Sequence, residues 1–470
     1  MSARFAKLAF VACCIAFTFP LTASAQFGGG GGGGGNNNGG GFGNNNQFFN
    51  VVGGVKIDTS GVLSTTSETL DPNTRQLIKQ SVSGLDSDLE TSSKLRMVSL
   101  RGLEAAITKS KDEGTPLSKE ALYMAGLQRV EFVIVSPEND DIILAGPGEG
   151  ITVDDEGRIV GSESGTPVIH LEDFLVAMRS TENARTGAGI SVSIDPTPEG
   201  IQKVQSLFNQ LKRTRTPFNP NMQPNVEQAM GDQVIRLTGI PADSRFSQVM
   251  VAADYKMKRL SMGLERSPIS GFPSFMELVQ NAKVRSMTAA PRFWMECNYQ
   301  PIAKGDDNSV WQIRGQGVKT LTEESKFDVD GKRKQAGTQN KFAQKWADSM
   351  TERFEELAEA EPAFRELRNL MDLSVVAAII RKENLGKRVD LGMPAILGLS
   401  NAAVTPSYPV AKAVSAQCSF VRLTKSWLVS ASGGVQFDPW GVAGETESAD
   451  LSQYTQVASN RSDNWWWNAK

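Results

Sequence analysis

Histidine is almost absent from this chain of 470 residues, because His170 is the only one. Zinc sites built from several histidines and the His-Glu-x-x-His motif are therefore excluded. The Gly-x-Ser-x-Gly elbow, the Ser-x-x-Lys pair and the Gly-Lys-Ser/Thr ending of a P-loop are missing too. One histidine can still serve a catalytic triad, but at a predicted strand end we interpret it as structural. We predict no catalytic residue, no metal site and no cofactor.

Long apolar runs are also scarce, and the clearest one lies at the N-terminus. Arg4 and Lys7 precede an apolar run over residues 8–22, which ends in Ala-Ser-Ala at 23–25. This is the layout of a signal peptide, so we predict that residues 1–25 direct export and are cleaved off. The alternative is that Cys13 is lipidated. We place the mature protein in the periplasm, in the cell envelope or outside the cell, and we predict no transmembrane span.

Cysteine is rare, with four residues in the chain, and Cys13 and Cys14 would leave with the signal peptide. Cys297 and Cys418 remain in a compartment where disulfides form. Both lie in apolar, strand-like sequence. The sequence leaves a single disulfide and two buried thiols equally open.

Excess positive charge is missing as well. The chain has 49 basic and 52 acidic side chains, a net charge of −3, and removal of the signal peptide would make it more negative. The densest basic stretches, at 212–215 and 332–334, are short, and we interpret them as solvated loops. We therefore predict no nucleic-acid partner, because such a partner requires a basic surface.

Residues 26–50 consist almost entirely of glycine and asparagine, with a few phenylalanines. Such a composition buries too little apolar surface to offset the entropy of ordering. We predict a disordered tether, which either holds the folded part away from whatever its N-terminus meets or is an unselected spacer.

The remaining sequence mixes helical and strand periodicity, which predicts an α+β fold of helices and short strands. Residues 216–232 are rich in proline and asparagine and break both periods. We therefore predict two domains, over 51–215 and 233–440, joined by a linker or long loop at 216–232. A polar tail over 441–470 ends in a tryptophan-rich segment.

Local signals predict individual elements. Asp71 before Pro72, Ser118, and Thr197 before Pro198 are typical helix starts. Residues 95–107 show helical spacing, whereas 130–144 and 151–160 read as hairpins. Strand-then-helix units are expected at 168–179, 190–211 and 234–260, and a buried helix is expected to begin at Pro362.

Acidic clusters at 140–141, 154–156 and 328–331 are the remaining chemical candidates. Paired carboxylates can hydrolyse glycosidic bonds or bind calcium, and Asp328 and Asp330 resemble the opening of a calcium loop. Basic residues follow where further ligands would be needed. We interpret all three clusters as turns, where aspartate is favoured.

Two segments are candidate binding residues. The first lies on a predicted helix and comprises Asp254, Tyr255, Lys256, Lys258 and Arg259. Asp254 and Lys258 are spaced for an i, i+4 ion pair, and this face is either simply solvated or a recognition surface. The second, Trp465, Trp466 and Trp467, could stack on sugars or lie at a membrane interface, unless the terminus is frayed.

Four segments, 134–147, 193–200, 252–258 and 365–370, resemble the secreted bacterial family called domain of unknown function 1598. The resemblance implies export and one shared fold over most of residues 51–440. It brings no activity and no catalytic residues.

Together these features favour an exported, non-enzymatic module that binds a protein or glycan of the cell envelope. The alternative is a carboxylate-dependent extracellular hydrolase that acts on a glycan or peptide, which would need two acidic groups from separate segments in one pocket. The sequence does not determine the oligomeric state.

Overall fold

A computed structural model describes residues 51–52, 55–58, 60–65, 71–84, 87–186, 189–284, 290–327, 333–335, 340–400, 405–423, 427–429, 433–461 and 464–469. The predicted signal peptide, the tether and the acidic cluster at 328–331 lie outside these residues. The described residues belong to one compact unit. They combine helices with several sheets, which confirms the predicted α+β class.

The strands of the described residues are short, and most are buried. They are β1 (Val51–Val52), β2 (Val55–Ile57), β3 (Val62–Thr65), β4 (Ser93–Ser99), β5 (Phe132–Ser136), β6 (Asp141–Gly148), β7 (Ile151–Val153), β8 (Ile159–Gly161), β9 (Ile190–Asp195), β10 (Gln233–Thr238), β11 (Ala290–Asn298), β12 (Ile302–Gly305), β13 (Val310–Gln312), β14 (Gly317–Phe327), β15 (Arg333–Gln335), β16 (Ala413–Val414), β17 (Phe420–Arg422), β18 (Trp427–Val429), β19 (Gly433–Phe437), β20 (Thr446–Ala449) and β21 (Trp466–Asn468).

The helices range from single turns to a helix of 21 residues. They are α1 (Pro72–Ser81), α2 (Ser87–Glu90), α3 (Leu100–Glu113), α4 (Lys119–Leu122), α5 (Leu171–Thr186), α6 (Pro198–Arg213), α7 (Gln223–Met230), α8 (Arg245–Met262), α9 (Phe275–Asn281), α10 (Lys341–Glu352), α11 (Phe354–Ala360), α12 (Pro362–Lys382), α13 (Leu385–Arg388), α14 (Pro439–Gly444) and α15 (Ser452–Ser459). Short 3₁₀ turns occur at Met124–Gly126, Pro137–Asn139 and Pro220–Met222.

Two large sheets organise the fold. The first has the strand order β1-β2-β3-β16-β10-β9-β19-β11-β14-β15, and the second has the order β20-β12-β13-β5-β6-β4-β21. In the first sheet β9 pairs antiparallel with both β10 and β19, and β19 pairs parallel with β11. Strands from distant parts of the chain are therefore neighbours in both sheets.

The centre of the core is helical. Helix α12 is buried on all sides over residues 366–380 and packs against α5, α8 and α14. This confirms the prediction of a buried helix beginning at Pro362. Among the described residues, none of the helices combines the length and apolar character that a membrane crossing requires.

Capping signals located several elements correctly. The side chains of Asp71, Ser118 and Thr197 each accept a backbone N–H bond at the start of a helix, and a proline follows Asp71 and Thr197. Both predicted hairpins are present, as β5 with β6 and β7 with β8. Local hydrogen bonding explains this success, because a cap requires only adjacent residues.

Two element predictions were wrong. Residues 93–99 form strand β4 and not the first part of a helix, since Met97 and Val98 pack into different clusters on opposite faces of the sheet. Residues 168–171 do not form a strand and lead directly into α5. Both segments are short, so periodicity could not distinguish strand from helix.

The predicted linker at 216–232 contains a 3₁₀ turn and α7, and strands from both sides of it meet where β9 pairs with β10. Strands from both predicted domains therefore lie in one sheet. The division of the chain into two domains stays a prediction. The predicted polar tail contains α15, β20 and β21, and β21 pairs with β4.

Candidate functional site

A cavity of about 710 Å³ opens between α5, the end of α12, the segment that follows α12, and Trp440 of α14. We call it the basic cleft. It is lined by Met178, Glu182, Arg185, Ile380, Arg381, Lys382, Asn384, Gly386, Lys387, Asp390, Leu391, Gly392, Met393, Leu397 and Trp440. A cavity of this size suits a ligand of a few sugar rings or a similar small molecule.

The wall formed by residues 384–393 has an unusual backbone. Asn384, Asp390 and Met393 adopt positive φ angles of 51°, 45° and 48°. Residues other than glycine seldom occupy this region, and such strained positions cluster at functional sites. All three of these strained residues line the basic cleft.

Charged side chains fix this wall and the residues that follow it to the rest of the protein. Arg179 donates from Nε to the Ile396 carbonyl at 3.0 Å and from its terminal nitrogen to the Ala395 carbonyl at 2.9 Å. Glu104 accepts the backbone N–H groups of Ala395 and Ile396 at 2.7 and 3.0 Å. Arg101 donates to the Val389 carbonyl at 3.0 Å. Charge-assisted bonds of this kind hold the cleft in shape without a ligand.

The cleft carries more positive than negative charge. Its lining includes two arginines and two lysines against two carboxylates, Glu182 and Asp390. Glu182 already pairs with Arg185 at 2.7 Å. Lys382 donates to the neutral carbonyl of Ala443 at 2.6 Å. Negative charge on a ligand would therefore be favoured here.

Arg381 and Trp440 add a specific arrangement to this charge. Arg381 donates from a terminal nitrogen to the Met178 carbonyl at 2.7 Å, while its buried Nε has no hydrogen-bond partner among the described residues. The indole of Trp440 donates to the Thr181 carbonyl at 2.7 Å and lies under the Arg185 guanidinium, 5.2 Å from ring centroid to Cζ. A fixed arginine and a fixed aromatic ring are typical of carboxylate and sugar recognition.

Three of the five predicted binding residues of α8, Asp254, Tyr255 and Lys258, are buried, and Lys256 and Arg259 are half-buried. Asp254 is fully buried, and Lys258 donates from Nζ to Asp254 at 2.9 Å and to the Ile194 carbonyl at 2.7 Å. Burial raises the pKa of Asp254 and lowers the pKa of Lys258. Gly433 is required above this pair, because a Cβ there would lie 2.8 Å from Lys258 Cε. The predicted i, i+4 pair is present, but as a buried ion pair beneath the sheet.

The other predicted residues of α8 form an ionic network. Lys256 contacts Glu265 at 2.7 Å and Glu361 at 3.0 Å. Arg259 contacts Glu265 at 3.0 Å and donates to Gln417 at 2.7 Å. Tyr255, which is buried, donates to Gln417 at 3.3 Å. The charges of this face bind one another and its tyrosine is covered, and its role as a recognition surface stays a prediction.

The tryptophan-rich terminus is also folded. Trp466 and Trp467 are buried in β21, where they pair with Val98 and Met97 of β4. The guanidinium of Arg461 lies 5.2 Å from the Trp467 ring centroid. The terminus is therefore not frayed, and these two rings are covered by the protein itself. Trp465 remains half-buried.

His170 lies beside a buried ionic cluster that the sequence did not predict. Arg245 of α8 binds Asp173 of α5 and donates to Glu366 of α12 at 2.6 Å. Tyr408 donates to Glu172 at 2.7 Å. Burial lowers the pKa of His170 to about 3 and raises the pKa of Asp173 to about 6.

The hydrolase hypothesis requires two carboxylates from separate segments, and Asp173 and Glu366 meet this condition. Both are almost fully buried, with side-chain exposures of 4% and 5%, and both bind the same arginine. Neither lines the basic cleft. The cluster is therefore better suited to holding three helices together than to contacting a substrate.

Cys297 and Cys418 are free thiols in the structure, which corresponds to one of the two alternatives that the sequence left open. Burial raises the pKa of each thiol to about 12, so neither is a reactive thiolate near neutral pH. Across the described part of the chain, no group of three or more His, Cys, Asp or Glu side chains is arranged to hold a metal ion.

Sequence reasoning missed the basic cleft. One signal for it was present, because Arg381, Lys382, Lys387 and Arg388 place four basic residues within eight positions after an apolar helix. The partners of this run, on α5 and α14, lie far from it in the sequence, and only the fold brings them together.

Residues 192–275 match the model of a family described as "Protein of unknown function (DUF1598)". The match supports the predicted family assignment within these residues and includes two of the four segments on which it was based. It is shorter than the expected range of 51–440. No curated protein and no solved structure matches the chain.

Proposed function

We propose that this member of the DUF1598 family is an exported, non-enzymatic binding module of the cell envelope, and that the basic cleft binds an acidic glycan. The observation that carries the proposal is the unbalanced positive charge of the cleft, whose lining has two arginines and two lysines against two carboxylates. A carboxylate bound in the cleft would offset this charge.

The chemistry of the lining supports binding more than catalysis. Glu182 and Asp390 are the only carboxylates that line the cleft, and Glu182 is engaged by Arg185. The groups whose pKa values depart most from their ordinary range, such as His170, lie outside the lining. General acid–base catalysis needs such a group next to the substrate.

A carboxylate-dependent hydrolase is the second candidate, because Asp173 and Glu366 converge from different helices. Their burial and their shared arginine count against it, since a catalytic acid must reach its substrate.

Isothermal titration calorimetry of the mature protein would test the proposal. The ligand is an oligogalacturonate, and the control ligand is the same oligosaccharide with its carboxylates methyl-esterified. We expect binding of the acidic form only, weakening with salt. Arg381→Gln and Lys387→Gln should each weaken binding about tenfold, the loss of one charge-assisted hydrogen bond.

Lys109→Gln is the matched control, because Lys109 is an exposed lysine outside the lining of the cleft. It should bind like the wild type. Equal binding of both oligosaccharides, or equal affinity of wild type and Arg381→Gln, would contradict the assignment. Shortened products after incubation, detected by mass spectrometry, would favour the hydrolase.

A further inference from the structure

Helix α6 is an amphipathic helix whose apolar face the fold covers only partly. Thr197 caps it and Pro198 occupies its first position, so the sequence specifies its start. Of its 16 residues only Gly200 and Ile201 are buried. An apolar helix face normally derives its stability from packing against a core, and this face packs only partly, with Val204, Leu207 and Phe208 half-buried against the small cluster of Val226, Met230 and Cys418.

The incompletely covered face is apolar and aromatic. Its half-buried members are Val204, Leu207, Phe208 and Leu211 on α6, continued by Phe218 and Phe420. The rings of Phe208 and Phe218 are 5.4 Å apart, and those of Phe218 and Phe420 are 4.8 Å apart. We call this set the α6 face.

Basic residues flank the α6 face. At 3.6 residues per turn, Lys203 lies about 100° to one side of Val204 and Lys212 about 80° to the other. Arg213 and Arg215 follow at the end of the helix, and all four basic side chains are exposed. Among the described residues, no carboxylate forms a salt bridge with any of them.

We propose that the α6 face lies on the surface of a bilayer that contains anionic lipids. Helices that bind at this interface combine an apolar, aromatic face with lysine and arginine on the flanks, whose long side chains reach the headgroups. A protein partner fits less well, because lysine is depleted at protein interfaces. The α6 face shares no residue with the basic cleft, so the two proposals are independent.

Vesicle co-sedimentation of the full mature protein tests this proposal. The probes are vesicles of phosphatidylcholine alone and vesicles in which about a third of the lipid is phosphatidylglycerol. We expect binding to the anionic vesicles only, with a loss at high salt. Each basic residue near an anionic surface contributes about fivefold to binding, so Lys203→Glu with Lys212→Glu should weaken it at least about 25-fold.

The matched control reverses the charge of two exposed lysines on α3, Lys109→Glu with Lys111→Glu. It changes the net charge equally and should leave vesicle binding intact. Phe208→Ser tests the apolar contribution and should also weaken binding. Circular dichroism and the thermal midpoint establish that each variant is folded.

Equal binding to neutral and anionic vesicles would overturn the proposal, as would an equal effect of the α3 and α6 charge reversals. Absence of vesicle binding together with self-association, measured by sedimentation velocity and abolished by Phe208→Ser, would overturn it as well, because the α6 face would then be a contact between copies. Oligogalacturonate binding should be the same in the α6 variants, which separates failure of this proposal from failure of the basic cleft.

Discussion

The ionic cluster around Arg245 gives the sharpest stability prediction. The side chain of Arg245 is 8% exposed, and it neutralises Asp173 and Glu366, whose second oxygens have no hydrogen-bond partner. Arg245→Met would leave two carboxylates buried without a counter-charge. Loss of one partner from a buried ion pair costs about 3–5 kcal/mol. Since a domain has a free energy of unfolding of about 5–15 kcal/mol, the variant should be severely destabilised at pH 8.

The same variant should show a characteristic pH dependence. Burial already raises the pKa of Asp173 from 3.8 to about 6, and removal of Arg245 would raise it further. A raised carboxyl pKa means that the folded state binds a proton more tightly than the unfolded state. The buried carboxylate of Asp173 therefore does not destabilise the protein at low pH. Its destabilising effect grows as the pH rises, until the pH exceeds the pKa of Asp173 in the folded state. The loss should be about 2 kcal/mol larger at pH 8 than at pH 5.5.

Urea unfolding followed by tryptophan fluorescence, at both pH values, measures these differences. The control carries Arg245→Met with Asp173→Leu and Glu366→Leu, and it should recover most of the lost stability, because replacing a whole buried ion pair is often neutral. A loss below about 1 kcal/mol for Arg245→Met at pH 8, or a greater loss at pH 5.5, would refute the reasoning.

Three further predictions concern the buried ion pair of α8, the C-terminal strand β21 and the signal peptide. Lys258→Met should destabilise the protein by about 3–5 kcal/mol, as measured by urea unfolding, and Asp254→Leu added to it should restore most of that loss. Deletion of residues 464–470 removes the two buried tryptophans of β21, so the thermal midpoint should fall by several degrees, whereas Trp465→Ala should have a smaller effect. N-terminal sequencing of the protein exported by its host should begin at Gln26; retention of residues 1–25, or a lipidated Cys13, would contradict cleavage after Ala25.

The sequence allowed prediction of features that depend on neighbouring residues. Thr197 and Pro198 start α6, and the i, i+4 spacing of Asp254 and Lys258 does produce an ion pair. The burial of that pair could not be predicted, because the residues that cover it come from β9, β11 and β19. Spacing within a helix reports which side chains meet, but it does not report what the fold places over them.

The α6 face and the basic cleft also differ in how much of each can be predicted from the sequence. The apolar stripe of α6 is evident from the sequence, but its incomplete covering is a property of the fold. The basic cleft combines α5, α12 and α14, which lie up to about 270 positions apart in the chain. Such a site leaves only a weak local signal, here the basic run at 381–388, which begins in the last turn of α12.

Hydrogen–deuterium exchange of the mature protein with saturating oligogalacturonate tests the central claim most directly, because it reports where a ligand binds. The account predicts slower exchange in residues 381–397 and at the end of α5, with no change in α6. Binding accompanied by protection elsewhere, or by none in residues 381–397, would contradict the assignment of the basic cleft as the ligand site.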